Sequence, residues 1–208
     1  MSPPSTIDNE QDLKSLAEHL AEQDADLATI LANHGYPPLW RRPPGFGTLL
    51  HIILEQQVSV VSARAAFERL TEVATPLTPE SFLELDDAVL KRVGFSRQKT
   101  RYGRALAAAV SAGELDLGGL EALDDDAVRR ELTRIVGIGN WTADIYLMMA
   151  LGRPDVWPRG DLALAVAVQE VKGLATRPRS EALSALAEAW QPYRAVAARL
   201  FWHYYLSR

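Results

Sequence analysis

Residues 132–161 read LTRIVGIGNWTADIYLMMALGRPDVWPRGD, and three features of this stretch decide the predicted fold. Two glycines, Gly137 and Gly139, bracket one isoleucine; a helical pattern of apolar residues begins at Asn140; and Asp161 closes a loop rich in proline and glycine. Glycine lacks a Cβ atom, so such a turn can adopt unusual backbone angles and can let another backbone approach closely. The stretch therefore predicts a helix, a short glycine hairpin and a second helix.

The glycine hairpin has a chemical use as well as a structural one. The free N–H groups of Gly137, Gly139 and the helix start point outward in such a turn, and they can bind a phosphate without any charged side chain. An ordinary corner between two helices also favours glycine. The two glycines alone favour the ordinary corner, so the flanking residues must decide.

Apolar residues recur at three- and four-residue spacing along the chain, whereas the alternation typical of strands is nearly absent. We therefore expect an all-α protein. The expected helices cover about 10–33 with a break near Gln23, 46–55, 58–73, 79–93, 97–112, 125–135, 140–150, 161–172, 179–189 and 192–206. The proline-rich residues 35–47 are a candidate subdomain boundary.

Composition limits the functions that are open to the chain. The 208 residues are 48% hydrophobic, which suits one or two domains with a buried core. The absence of cysteine excludes disulfides, thiolate metal sites and iron–sulfur clusters. No apolar run reaches membrane-spanning length and the N-terminus lacks a signal-peptide pattern, so we expect a cytoplasmic protein.

The charge distribution neither establishes nor excludes a nucleic-acid partner. The net charge of −5 does not favour one, because phosphate binding needs a basic surface. Most of the excess acid lies in the first 35 residues, and the nearly neutral remainder contains clusters of arginine at Arg41/Arg42, Arg97–Arg104 and Arg129/Arg130/Arg134. On charge alone, solvated helix surfaces explain these clusters better than a DNA-binding face does.

Five segments together resemble one family. LTRIVGIGNWTADI is similar to the helix-hairpin-helix of DNA glycosylases, and DVWPRGD is similar to the loop that ends in their catalytic aspartate. IILEQQVSVVSARA (52–65), GFSRQKTRYGRALA (94–107) and WQPYRAVAARLFWHYY (190–205) resemble motifs of the 3-methyladenine DNA glycosylase II (AlkA-like) branch of the helix-hairpin-helix-GPD superfamily. Each motif alone is weak, but the set runs in the family's order from about Gly45 to the C-terminus.

The resemblance implies an all-α helix-hairpin-helix glycosylase fold, with two helical lobes and the active cleft between them. The implied activity is hydrolysis of the N-glycosidic bond of alkylated purines, chiefly 3-methyladenine and also 7-methylguanine, during base excision repair. Asp161 is the implied catalytic residue, because a carboxylate stabilises the positive charge that develops on the sugar. Its position before an apolar helix also suits an N-cap, and one side chain can serve in both ways.

Trp141 determines the expected subclass. Members of the superfamily that also cleave the DNA backbone carry a lysine at this position and form a Schiff base with the sugar. Tryptophan has no amine, so the resemblance implies a monofunctional enzyme that flips the base out, removes it and leaves an abasic site. The expected base pocket contains Trp141, Trp202 and Tyr146, although a core position for Trp141 is an equally good reading of the sequence alone.

DNA contacts are expected from two segments. By resemblance Gln57 is the wedge that fills the space left by the flipped nucleotide, and Gln56 contacts the unpaired strand; an exposed helix start explains either residue equally well. The expected contacts of the hairpin with the DNA backbone come from Gly137, Gly139, Thr142 and Arg134. No cofactor is expected, but the carbonyls near Val136 and Ile138 can hold a monovalent cation in this superfamily.

Two other functions and the domain organisation complete the expectations. The alternatives are a non-catalytic helix-hairpin-helix DNA-binding module and a glycosylase for deaminated bases. Residues 1–44 are expected to form a helical segment that packs with the C-terminal helices, and residues 45–208 to form the glycosylase core. The protein is expected to act as a monomer on double-stranded DNA that contains damaged bases.

Overall fold

The computed structural model of the chain describes residues 6–208, which form α-helices, short 3-10 turns and loops but no β-strand. The all-α fold class is confirmed. No helix in this part of the chain is both long and apolar enough to cross a bilayer. The α-helices are α1 (Glu10–Gln23), α2 (Ala25–His34), α3 (Phe46–Glu55), α4 (Val60–Val73), α5 (Pro79–Glu84), α6 (Asp87–Val93), α7 (Arg97–Ser111), α8 (Asp125–Thr133), α9 (Asn140–Met149), α10 (Leu162–Val171), α11 (Ser180–Ala187) and α12 (Arg194–Ser207).

The helix boundaries follow the capping residues. The break predicted near Gln23 is confirmed, because the Asp24 carboxylate accepts hydrogen bonds from the first N–H groups of α2. The single helix predicted over 79–93 is wrong. Asp86 accepts a hydrogen bond from the N–H of Val89 and starts α6, so the segment forms two short helices. The apolar spacing continues through this break, and only the cap marks it.

Two compact units divide the chain, and the boundary falls inside α9. The first unit contains the residues through Arg41 together with Leu147–Arg208. Its centre is α12, which packs against α1, α2 and α10. Every residue from Ala195 to Trp202 is buried, so α12 is enclosed on all sides over two turns instead of along one apolar stripe. The domain division expected at residue 44 stays a prediction.

The second unit, Arg42–Tyr146, is built around α3. Helix α3 packs against α4 and α7, and α7 in turn packs against α5 and α6. Most of the buried side chains of α3 are leucine and isoleucine, and each of these contributes about 1.5–3 kcal/mol of burial energy. This packing positions the loop that begins at Gln56. The loop that begins at Arg134 lies in the same unit, and the two loops contain most of the predicted DNA-binding residues.

Candidate functional site

Asp161 and Trp202 lie together in the first unit. The Asp161 carboxylate caps α10 and accepts a hydrogen bond of 2.9 Å from the N–H of Leu164. The indole Nε1 of Trp202 donates a second hydrogen bond, of 3.2 Å, to the same oxygen. Asp161 is only 9% exposed and Trp202 only 8%. The site therefore places a partly buried carboxylate at a helix N-terminus, where a negative charge is favoured, beside an aromatic ring.

The loop before Asp161 is shaped by its buried and turning residues. Val156 and Trp157 point into the core of the first unit, and the Trp157 ring packs 5.5 Å from that of Trp190. Gly160 has a φ of 79°, in the left-handed region that glycine adopts without a steric penalty. The loop thus turns sharply onto the start of α10 and presents Asp161 there.

A second tryptophan, Trp40, stands beside Trp202 and was not anticipated from the sequence. The two indole rings lie 6.3 Å apart at an interplanar angle of 74°. Trp40 is half-buried, and its φ of 50° is unusual for a large side chain. Its only sequence signal was its place in a segment too rich in proline to be helical.

A buried arginine fixes the chain at Trp40. Arg199 of α12 is fully buried, and its guanidinium donates hydrogen bonds to the carbonyl oxygens of Leu39, Met148 and Ala195 at 3.2, 2.8 and 3.0 Å. Burial, together with the nearby positive charge of Arg41, lowers the pKa of Arg199 to about 10. The group therefore stays charged at neutral pH and ties the segment before Trp40 to α12.

The hairpin glycines in the second unit have different roles. Gly137 has a φ of 94°, and a Cβ atom there would lie 2.0 Å from the ring of Tyr102. At Gly139, which is exposed, an added Cβ would meet no atom within 4 Å. Gly137 is therefore required by the fold, whereas Gly139 leaves open space on the outside of the turn.

Gln56 joins the loop after α3 to the hairpin. Its side-chain amide donates hydrogen bonds to the carbonyl of Gly137 at 2.9 Å and to the hydroxyl of Thr142 at 3.0 Å. Thr142 is only 1% exposed, so this contact is internal. The neighbouring Gln57 is exposed and has a φ of 57°, again in the left-handed region.

A polar cavity of about 390 Å³ separates these two loops. It is lined by Gln56, Gln57, Gln98, Lys99, Tyr102, Gly137, Ile138 and Gly139. The structure thus brings together the predicted wedge, its neighbour and both hairpin glycines. Lys99 and Tyr102 were not among the predicted site residues, although both lie in a segment that was singled out.

The side chain of Lys99, a residue of α7, contacts the C-terminal end of α3 and also lines the cavity. Its ammonium group donates a hydrogen bond of 2.6 Å to the carbonyl of Leu54 in the last turn of α3, where a positive charge is favoured. The backbone N–H of Lys99 donates to the hydroxyl of Ser96, which caps α7. Burial lowers the pKa of Lys99.

The remaining predicted residues take separate positions. Trp141 is half-buried in the first turn of α9. Tyr146 is fully buried and accepts a hydrogen bond of 2.9 Å from the N–H of Gly45, and burial raises its pKa. Arg134 is exposed, forms an ion pair of 2.9 Å with Glu131 and is not among the residues that line the cavity. A base pocket shared by Trp141, Tyr146 and Trp202 stays a prediction.

Within residues 6–208, no group of three His, Asp or Glu side chains converges in a way that could hold a metal ion. The monovalent cation expected near Val136 and Ile138 would depend on backbone carbonyls alone. Hard cations are bound by carbonyl oxygens of this kind, so these residues fit a monovalent cation. The cation site stays a prediction.

Comparison with known proteins places this arrangement in a family. A Bacillus subtilis protein that is provisionally named a DNA-3-methyladenine glycosylase is 27% identical over 201 residues, which cover 93% of this chain and 69% of that protein. The structure of Schizosaccharomyces pombe 3-methyladenine DNA glycosylase in complex with abasic DNA is 25% identical and superposes with a TM-score of 0.84, covering 90% of this chain and 95% of the other. A DNA-3-methyladenine glycosidase from Bacillus halodurans is 30% identical, with a TM-score of 0.73 over 95% of this chain and 89% of the other.

A family model matches the central part of the chain. The model of the HhH-GPD superfamily base excision DNA repair proteins matches residues 50–192, a range that begins in α3, contains the hairpin and Asp161, and ends just before α12. Because this match covers most of the sequence, the chain belongs to the HhH-GPD superfamily of base excision DNA repair proteins.

Proposed function

We propose that the protein is a monofunctional DNA glycosylase that hydrolyses the N-glycosidic bond of alkylated purines, 3-methyladenine and 7-methylguanine, in double-stranded DNA. The observation that carries the proposal is the buried pair of Asp161 and Trp202, in which a carboxylate is held against an aromatic ring. The relatives support the same substrate class, because they are named for 3-methyladenine, and one is bound to abasic DNA. Abasic DNA is the product of such a reaction.

The proposed reaction needs a negative charge but no strong acid. When the bond between C1′ and the purine nitrogen breaks, its electron pair moves to the methylated base, which leaves as a neutral molecule. Positive charge then develops on the sugar, and the Asp161 carboxylate stabilises it. Water adds to C1′, and its proton passes to Asp161 or to solvent, which leaves an abasic site.

Trp202 provides selectivity in this proposal. Methylation at N3 or N7 gives the purine a positive charge, and a cation over the face of an indole gains about 0.5–2 kcal/mol. The bond to such a base is already weakened, so a modest preference for binding it is enough. A neutral base such as hypoxanthine gains less from the same ring and should be a poor substrate.

Binding to the duplex is assigned to the hairpin and to Gln57. The open space outside Gly139 supports close approach of a phosphate to backbone N–H groups, which needs no basic surface. The exposed Arg134 already forms an ion pair with Glu131, which supports backbone donors, and not this side chain, as the main contact with the phosphate. Gln57 is exposed and keeps a costly backbone conformation, and residues of this kind cluster at functional sites. This supports its assignment as the wedge.

The test is incubation with duplexes that each carry one defined lesion, followed by alkaline cleavage of abasic sites. We expect strand breaks at 3-methyladenine and 7-methylguanine only after alkali. Release of hypoxanthine or uracil at comparable rates would favour a glycosylase for deaminated bases. Binding without release of any base would leave the non-catalytic module as the function.

Two further points belong to the same proposal. We assign the protein to the cytoplasm and expect it to act as a monomer on DNA. Cell fractionation and light scattering of the free protein and its DNA complex test these assignments, and a stable dimer on a single lesion would contradict the second.

A further inference from the structure

Trp40 lies next to the pair that carries the proposed chemistry. Its ring is 6.3 Å from that of Trp202, and Trp202 in turn donates its hydrogen bond to Asp161. The planes of the two rings meet at 74°, so the rings can form two adjacent walls of one pocket. Trp40 is only half-buried, so the residue is not enclosed by the core of the first unit.

The backbone at Trp40 is held in a conformation that the residue itself disfavours. A φ of 50° belongs to the left-handed region, which glycine adopts readily and a large side chain rarely adopts. The guanidinium of the buried Arg199 holds the preceding carbonyl, that of Leu39, and so supplies part of the restraint. The fold therefore keeps an indole at this position where a glycine would relieve the strain, and strain of this kind is retained at binding sites.

We propose that Trp40 forms the second aromatic wall of the pocket for the flipped base and strengthens its preference for cationic methylpurines. The inference rests on the proposed glycosylase function and extends it to a residue outside the matched motifs. A base that stacks parallel to Trp202 meets Trp40 at a steep angle, so the two rings contact a face and an edge of the same base. A second indole adds cation–π attraction for a charged base.

Three variants at this position separate the ring from the backbone. Trp40→Gly removes the ring and relieves the strained φ, so a purely structural role predicts unchanged excision. Trp40→Phe and Trp40→Leu form a matched pair, because both keep an apolar side chain on the same strained backbone and only phenylalanine keeps a π-face. Tyr36→Ala is the control within the segment. Tyr36 is 41% exposed and its hydroxyl donates a hydrogen bond to Glu18, so this substitution removes an aromatic ring that does not contact Trp202.

The measurements are single-turnover excision of 3-methyladenine and of hypoxanthine, affinity for abasic duplex, and thermal unfolding. We expect Trp40→Leu and Trp40→Gly to slow 3-methyladenine release about ten- to hundredfold, the effect of one lost base–aromatic contact. The slowing of hypoxanthine release should be smaller. Trp40→Phe should keep most of the wild-type rate, Tyr36→Ala all of it, and abasic affinity should change little in any variant.

Each contrary outcome has a defined meaning. If Trp40→Leu excises 3-methyladenine as fast as the wild type, Trp40 is not a pocket wall. If the leucine and phenylalanine variants are slowed equally, or if both lesions are slowed equally, the preference for cations does not come from this ring. Failure of the wild type to release any methylpurine would instead overturn the proposed function itself. If the glycine variant fails to fold, the comparison of Trp40→Phe with Trp40→Leu still decides whether the ring of Trp40 contributes to excision.

Discussion

The carboxylate of Asp161 accepts hydrogen bonds from the indole of Trp202 at 3.2 Å and from the N–H of Leu164 at 2.9 Å, both at the same oxygen. The first contact joins α12 to the start of α10, and the second caps α10 itself. One side chain therefore has a structural role and a proposed chemical role. Because asparagine can replace the first role and not the second, substitution can separate them.

Asp161→Asn should preserve the fold and remove the activity. Asparagine is as good an N-cap as aspartate, and its carbonyl oxygen can accept both hydrogen bonds. We expect an unfolding temperature close to that of the wild type and base release slowed by at least about 10²–10³-fold, as for loss of a preorganised charge. Asp161→Ala should be equally inactive and also less stable by about 1 kcal/mol. Full activity of the asparagine variant would remove Asp161 from the mechanism.

Trp202→Phe tests the hydrogen bond, and Trp202→Ala tests the ring. Phenylalanine keeps a π-face but cannot donate to Asp161, so we expect a moderate loss in the rate of 3-methyladenine release. Alanine removes the face as well, and the rate should fall about ten- to hundredfold while affinity for abasic duplex persists. Since Trp202 is only 8% exposed, thermal unfolding must accompany both assays. Rapid release of hypoxanthine by the wild type, or an alanine variant as fast as the wild type, would contradict stacking on Trp202.

Gly139→Val should weaken DNA binding without loss of stability. A Cβ atom added there meets no atom within 4 Å, so we expect the main effect of the side chain to be crowding of a phosphate. We expect similar losses of affinity for damaged and undamaged duplex in a fluorescence anisotropy titration, and a smaller loss for Arg134→Ala. The matched comparison is Gly137→Ala, which should destabilise the fold because its Cβ would strike Tyr102. A loss confined to lesion-bearing DNA would show that Gly139 acts in base selection instead.

Borohydride should trap no covalent complex between the enzyme and DNA. Trp141 has no amine for a Schiff base, and strands should therefore break only after alkali. Lys99 is the residue to control for, because burial lowers its pKa and a larger neutral fraction makes an amine a better nucleophile. An adduct that forms in the wild type and disappears in Lys99→Arg would overturn the monofunctional assignment and identify the amine.

The sequence predicted regular elements better than the places where they stop. Helix α3, Phe46–Glu55, coincides with the predicted 46–55 because its apolar residues face a single core. The division between α5 and α6 was missed because the apolar period continues past Asp86 and only the side-chain cap that starts α6 marks the break. The spacing of apolar residues therefore predicts where a helix runs. Where it stops depends on which carboxylate accepts a hydrogen bond from a backbone N–H group.

Some residues of the candidate site could likewise be predicted from the sequence, and others could not. Asp161 and the hairpin glycines lie in continuous motifs and could be identified by resemblance. Trp40 could not be identified, because its place beside Trp202 depends on a hydrogen bond between Arg199 and Leu39, 160 positions apart in the chain. A contact of this range leaves no periodic pattern in either segment.

His51 should make the protein less stable in mild acid. Its ring stacks on Phe67 at 4.4 Å, its Nε2 lies 3.8 Å from Glu55, and burial lowers the pKa of the imidazole in spite of that carboxylate. Below about pH 6.5 the unfolded chain binds a proton at this residue more readily than the folded protein does, so protonation favours unfolding. This contribution to stability is complete above the unfolded pKa and is lost as pH falls through the lower, folded value.

The measurement is the free energy of unfolding in urea across this pH range for the wild type and His51→Phe. Phenylalanine can stack on Phe67 but cannot titrate. The free energy of unfolding of the variant should therefore fall less than that of the wild type below about pH 6.5. Each unit by which the folded pKa lies below the unfolded one corresponds to about 1.4 kcal/mol. Other groups, chiefly carboxylates, contribute to both curves, and the difference between the curves isolates His51. Parallel curves for the two proteins would show that the imidazole titrates alike in the folded and unfolded chain, and burial in the α3 core would then not control its charge.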